Sequence, residues 1–165
     1  MGKRGLWIAG AMFGLGAAIL VFAWWLNIYN NADARAARLH GWDVKPYQQA
    51  MGLARRAGKS QSLNDSDLEL AIALLHDQNP VVRQIAAGAI GRAGENAKDS
   101  DATKALVAAV NDENDYVRLA AILALKRLEW PDAPRYFDQL KKNASADVRS
   151  SIWEMEAMDK KEQSK

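Results

Sequence analysis

HDQNPVVRQIAAGAIGRAG, residues 76–94, and NDENDYVRLAAILALKRLE, residues 111–129, are one segment written twice at an offset of 35 residues. In register, Asp77 matches Asp112, Asn79 matches Asn114, Val82-Arg83 matches Val117-Arg118, Ala86 matches Ala121, Ala89 matches Ala124 and Ile90 matches Leu125. A degraded third copy follows 31 residues later. There Asp147-Val148-Arg149 puts Val148 and Arg149 on the Val-Arg positions, and Ile152 and Met155 on the alanine positions. Self-similarity at a period of roughly 20–50 residues marks stacked supersecondary units.

Each copy is preceded by another apolar-periodic stretch: Leu68 to Leu75, Leu106 to Val110, and Tyr136 to Leu140. These read as the first helices of helical pairs, with the Val-Arg segments as the second. Ser66 with Glu69 has the spacing of a capping box, and Asn79 before Pro80 puts a good N-cap next to a residue suited to the first helical turn. Asn114 repeats that cap. Gly91 and Gly94 end one pair, while Pro131 and Pro134 separate the second pair from the third. Strand patterning is absent. One hairpin cannot bury its apolar stripe alone, so the expected fold is all-α, with about three hairpins stacked over residues 64–158 and a polar tail at 159–165.

The pattern D-x-x-x-x-V-R-x-x-A-x-x-A-(L/I), here Asp77 to Ile90 and Asp112 to Leu125, resembles HEAT repeats of the short bacterial kind. The third copy departs from it, with Ser151-Ile152 where its predecessor has two alanines, as a capping repeat would. The resemblance implies an α-solenoid. It also implies a ladder between neighbouring repeats, made by the loop aspartates Asp77 and Asp112 with the helix arginines Arg83, Arg118 and Arg149, whose role is then structural.

Ahead of the repeats, residues 6–26 read LWIAGAMFGLGAAILVFAWWL, 21 residues without a charge. As a helix they would measure about 31 Å, enough to span a bilayer's hydrocarbon core. Trp7 at one end and Trp24, Trp25 and Tyr29 at the other suit the headgroup level, and Lys3 and Arg4 cap the amino end. A cleaved secretory signal is the rival, with Ala32-Asp33-Ala34 as its small-residue site. Signal cores run about 7–15 residues, however, so the longer Trp-flanked run favours a retained single-pass anchor over residues 1–29. Gly10, Gly14 and Ala18 leave one face without bulky side chains, where a homodimer or docking onto a membrane complex could form. Lys3 and Arg4 favour a cytoplasmic amino end and a periplasmic C-terminal domain in a bacterial inner membrane, although Arg35, Arg38 and Lys45 oppose them. Residues 30–63 carry six basic side chains against two acidic ones and read as a basic juxtamembrane helical segment and linker that anionic lipid could hold. A solvated helical face is the alternative.

The whole chain has 165 residues, 49% hydrophobic and 25% charged, which excludes wholesale disorder and low-complexity sequence. A net charge of +2 gives no field for sequence-independent nucleic-acid binding. Zero cysteines exclude disulfides, thiolate metal sites and a thiol nucleophile, and His40 and His76 stand alone without metal-ligand spacing. The run Asp112-Glu113-Asn114-Asp115 lacks the glycine and distal glutamate of an EF-hand loop, so it reads as turn and cap chemistry. No catalytic motif appears, and neither a metal nor a cofactor is expected.

These observations point to contact rather than catalysis: a membrane-anchored interaction module, plausibly an accessory or assembly subunit whose partners are other membrane protein subunits and the bilayer. A HEAT-like enzyme-associated or chromophore-handling protein, similar to a lyase, is the alternative that the resemblance leaves open. Second helices of such stacks line an extended face where ligands sit. Register makes Gln84, Leu119 and Ser150 equivalent outward positions, and likewise Gly88, Leu123 and Glu154. Leu119, Leu123 and Arg127 are therefore candidate partner contacts. Trp153, on the last helix, either closes the core or meets another protein.

Overall fold

A computed structural model of the chain describes residues 32–59, 62–98 and 100–163, and every regular element among them is helical. The apolar run 6–26, including Gly10, Gly14, Ala18, Trp7, Trp24 and Trp25, lies outside the described residues, as does Tyr29. Among those described, no helix is long and apolar enough to cross a membrane. The chain divides into two compact units, Met1–Val44 and Lys45–Lys165.

In the first unit, helix α1 (Ala32–Leu39) buries Ala34 and Ala37 and stops at Gly41, whose φ of +68° is left-handed backbone that glycine adopts without a Cβ penalty.

Among the described residues the second unit holds seven α-helices, α2 (Val44–Gly58), α3 (Asp65–Leu74), α4 (Pro80–Ile90), α5 (Asp101–Ala109), α6 (Asp115–Arg127), α7 (Ala133–Asn143) and α8 (Ala146–Gln163), and a short 3-10 helix, Gly94–Ala97. Helices α3 and α4 form one hairpin, α5 and α6 the next, and α7 and α8 complete the series. First helix lies against first helix (α3 on α5), second against second (α4 on α6, α6 on α8). Leu106, Ile90, Ile122, Leu125 and Ile152 fill the shared seam at 2% exposure or less. This is the continuous core that a single hairpin could not make.

The unit starts earlier than the repeat pattern. Helix α2 falls within the stretch read as juxtamembrane, yet its Ala50, Leu53 and Ala57 join the repeat core. Its basic residues Arg55 and Arg56 lie on the remaining face, and Arg56 reaches across to Asp67 of α3 at 2.6 Å. At the other end, α8 continues through Gln163, so most of the supposed polar tail is helix.

Caps explain most of the helix starts. Asn79 accepts the Val81 amide at 2.9 Å, and Asn114 accepts those of Tyr116 and Val117 at 3.0 and 3.4 Å. The capping box expected at Ser66 is displaced: Asn64 is extended and accepts the Asp67 amide at 2.8 Å, so α3 starts at Asp65. Helix α5 starts well before Leu106, capped by Ser100. Pro134 sits in the first turn of α7, where its missing N–H costs nothing, and Pro131 lies in the turn before it, so both fall between the second hairpin and the third. Asn114→Ala is expected to cost about 1 kcal/mol and Asn114→Gly only a few tenths in urea unfolding, because glycine keeps the cap's backbone conformation. Equal losses would assign Asn114 a role other than capping.

Gly91 and Gly94 differ in role. Gly94 has φ +63° and opens a short 3-10 helix, Gly94–Ala97, beyond the end of α4. Gly91 is right-handed, and a Cβ there would lie 2.6 Å from both Cα and Cβ of Ala124. There, at the C-cap of α4, the backbone leaves no room for a side chain against α6.

A candidate partner-binding groove on the second helices

The Val-Arg arginines fix the loops from which the second helices project. Arg83 is buried and bidentate to Asp112 of the next hairpin, Nε to Oδ2 at 2.8 Å and Nη2 to Oδ1 at 2.9 Å. Its Nη1 donates to the carbonyls of Asp77 and Gln78 at 2.9 and 3.1 Å, closing its own turn. The hydrogen bond to Asp112 holds the Arg83 guanidinium above its ordinary pKa, with burial opposing. Burial pushes the Asp112 carboxyl up, but the Arg83 bonds and the Asn114 amide at 2.8 Å outweigh it and leave it below the usual range.

The expected ladder has this one rung between hairpins. The carboxylate of Asp77 instead accepts the Asn79 amide at 2.8 Å within its own turn. Asn143 stands where the third copy would need an aspartate, so Arg118 turns back to Asp115 on its own helix, and Asp115 in turn accepts the Ser145 amide at 2.5 Å. A neutral amide cannot make the bidentate charge-assisted pair, and a carboxylate one turn away takes its place. Arg149 donates to the Ala144 carbonyl. The acidic run 112–115 is thus turn, cap and ladder chemistry, and among the described residues no group of three or more His, Asp or Glu could hold a metal.

A groove runs over the exposed face of the second helices. Met51 of α2, Ile85 and Gly88 of α4, and Leu123 and Arg127 of α6 line a cavity of about 420 Å³, with Arg92 just past the end of α4. Leu123 and Arg127 also line an adjoining cavity of about 630 Å³, which adds Lys126, Phe137 of α7, and Met155 and Met158 of α8. The floor is apolar. Arg92, Lys126 and Arg127 are exposed and form ion pairs with no carboxylate among the described residues, whereas Glu156 at the far end is held by Lys141 at 2.6 Å.

Comparison with known families matches HEAT repeats over residues 68–156. The chain belongs to the HEAT-repeat family. No curated protein and no solved structure matches it. HEAT repeats mediate protein–protein contact in general, and the family is generally of a non-catalytic scaffold type.

Within this HEAT domain the candidate contacts divide. Leu123, half-buried, and Arg127, exposed, meet in both cavities. Leu119 does not join them: it is 7% exposed and belongs to the core. Its outward assignment rested on equivalence with Gln84, a polar residue that core packing would not draw in; leucine at the same position is buried. Trp153 is 71% exposed and does not close the core, which Ile152 beside it does at 2%. The structure adds Arg92, Ile85, Met51, Met155 and Met158 to the groove. The offset of 35 that marks the repeat also pairs Arg92 with Arg127, a signal legible in the sequence.

Proposed function

We propose that this HEAT protein is a membrane-anchored interaction module, an accessory or assembly subunit of a larger membrane protein complex, that seats a partner protein in the groove over α4, α6 and α8. The observation that carries the reading is the groove itself: two adjoining, largely apolar cavities that share Leu123 and Arg127, open on the face that a helical-repeat stack offers to ligands. An anchor is supported by the 21-residue uncharged run with aromatic residues at both ends. Lys3 and Arg4 favour a cytoplasmic amino end, which would put the HEAT domain on the periplasmic side of a bacterial inner membrane. Protease access in spheroplasts tests that orientation.

Affinity purification after detergent extraction is expected to recover stoichiometric membrane subunits with the full chain. A clean monomer would count against the reading. Gly10→Ile with Gly14→Ile separates the two uses of the small-residue face. Loss of a cross-linked dimer would assign it to self-association, and loss of companions without a dimer would assign it to docking on another subunit.

A further inference from the structure

The groove's cations are phased with the repeat, and this identifies the partner's chemistry; the inference rests on the interaction reading above. Arg92 follows Gly88 by four residues, Arg127 follows Leu123 by four, and the two pairs are related by the 35-residue offset. Helix α2 repeats the arrangement a third time. Its buried Ala50, Leu53 and Ala57 correspond to Ala86, Ala89 and Ala93, which aligns Gly52 with Gly88 and Arg56 with Arg92. Arg92 lies back along the helix face, with its Nη1 3.7 Å from a Cβ placed on Gly88, and Arg56 lies over Gly52 in the same way at 3.5 Å. Successive second helices thus carry arginine at one equivalent height.

Arg56 is committed to Asp67 through bonds of 2.6 and 3.2 Å. Arg92 and Arg127, with Lys126 beside the latter, retain their charge for a partner. Neighbouring packed helices lie about 8–10 Å apart, so these two arginines recur at roughly that spacing across the stack. Two turns of an α-helix rise about 10.8 Å, which places side chains at i and i+7 at a matching interval. Between the arginines the floor is mostly aliphatic, with Gln84 its one uncharged polar side chain, and Leu123 also borders the Met155 and Met158 pocket.

We propose that the groove takes an acidic amphipathic helix of the partner protein. Its carboxylates near i and i+7 face Arg92 and Arg127, its apolar residues at i+3 or i+4 meet Ile85 and Leu123 between them, and those at i+10 or i+11 enter the pocket of Met155 and Met158. Both halves of the surface are then used: charge complementarity sets register, and burial against Leu123, Met155 and Ile85 supplies affinity. A nucleic acid fits less well. Its phosphates gain nothing from the aliphatic part of the floor. Anionic lipid headgroups would meet the arginines and leave the floor uncovered.

The test places a photo-crosslinking benzophenone amino acid at Leu123, or at exposed Ala108 on first helix α5 as a control, in the full chain in its native membrane. The crosslinked segment is then sequenced by mass spectrometry. The expected product from position 123 is a protein segment rich in Asp or Glu, with apolar residues three or four apart. Arg92→Glu with Arg127→Glu should lower its yield by about tenfold or more, whereas Arg92→Lys with Arg127→Lys should keep most of it. Both arginines are exposed, so far-ultraviolet circular dichroism should be unchanged in either double variant. A crosslinked protein segment without net negative charge overturns the acidic-helix inference and leaves the groove reading standing. A nuclease-sensitive or lipid product overturns the inference in favour of those ligands. No product from position 123, with or without one from position 108, overturns the groove reading itself.

Discussion

Arg83→Ala is expected to lower the unfolding free energy of the HEAT domain by about 3–5 kcal/mol, the range for removing one partner of a buried ion pair. The guanidinium side chain is 8% exposed and that of Asp112 12%. Truncation therefore strands a carboxylate that cannot recover full hydration, together with the carbonyls of Asp77 and Gln78. Asp112→Asn should cost less, because an amide oxygen can still accept from the Asn114 N–H and from one arginine nitrogen. Replacing both Arg83 and Asp112 with leucine should cost less than the sum of the single replacements, since no charge is then left unpaired.

The pH dependence has a definite sign. Asp112 titrates below its ordinary value, so the pair's stabilisation is fully present above about pH 4 and is lost as pH falls through the folded-state value. Asp115 shifts in the same direction, held chiefly by the backbone amide of Ser145. In urea unfolding of the full chain in detergent, the gap between wild type and Arg83→Ala should be widest near neutrality and narrow on acidification below about pH 4. A gap independent of pH would mean that Arg83 acts by packing and by closing its own turn, without the rung to Asp112.

How far the fold could be read depended on how much of each element's role is local. The two strong copies carry their caps, their alanine seam and their Val-Arg marks within one stretch, and the hairpins follow from these. Helix α2 escaped because it lacks the Val-Arg signature. Its membership rests on Leu53 and two alanines meeting a distant seam, and a three-residue apolar stripe beside Arg55 and Arg56 reads equally well as a surface helix. Ser66 and Asn64 are both competent caps two residues apart, and residue type alone does not choose between them; Asn64 is the one whose side chain accepts the Asp67 amide. In the groove, register correctly paired Leu123 with Gly88 but could not separate Leu123 from Leu119. Both are leucines on one helix, and their exposure depends on what lies alongside. Arg127 stands on a helix and its equivalent Arg92 just past a helix end in a Gly-bounded turn, so helical periodicity marks only the first.

Gly91 carries the other large expected effect, one that reverses an expectation from local propensity. It sits at the end of α4 in right-handed backbone, where alanine is conformationally allowed and would gain about 0.5–1 kcal/mol relative to glycine. Gly91→Ala is nevertheless expected to destabilise by about 1–3 kcal/mol, because the new Cβ would meet Ala124 at 2.6 Å and push α4 from α6 along the seam that joins two hairpins. Gly91→Leu should exceed that range, since its longer side chain enters the same close approach between Ile90 and Leu125. Ala124→Gly in the Gly91→Ala background should rescue only in part: it removes one of the two contacts at 2.6 Å, but the Cα of residue 124 remains. Gly94→Ala is the contrast, with nothing within 4 Å of its Cβ position and φ +63°, so its penalty of about 1–2 kcal/mol is conformational and Ala124→Gly should leave it unchanged. Thermal unfolding of Gly91→Ala, Gly94→Ala and Ala124→Gly, alone and in the two double combinations with Ala124→Gly, separates the two mechanisms. If Gly91→Ala were neutral or stabilising, α4 and α6 could not be packed at the distance on which the shared core depends.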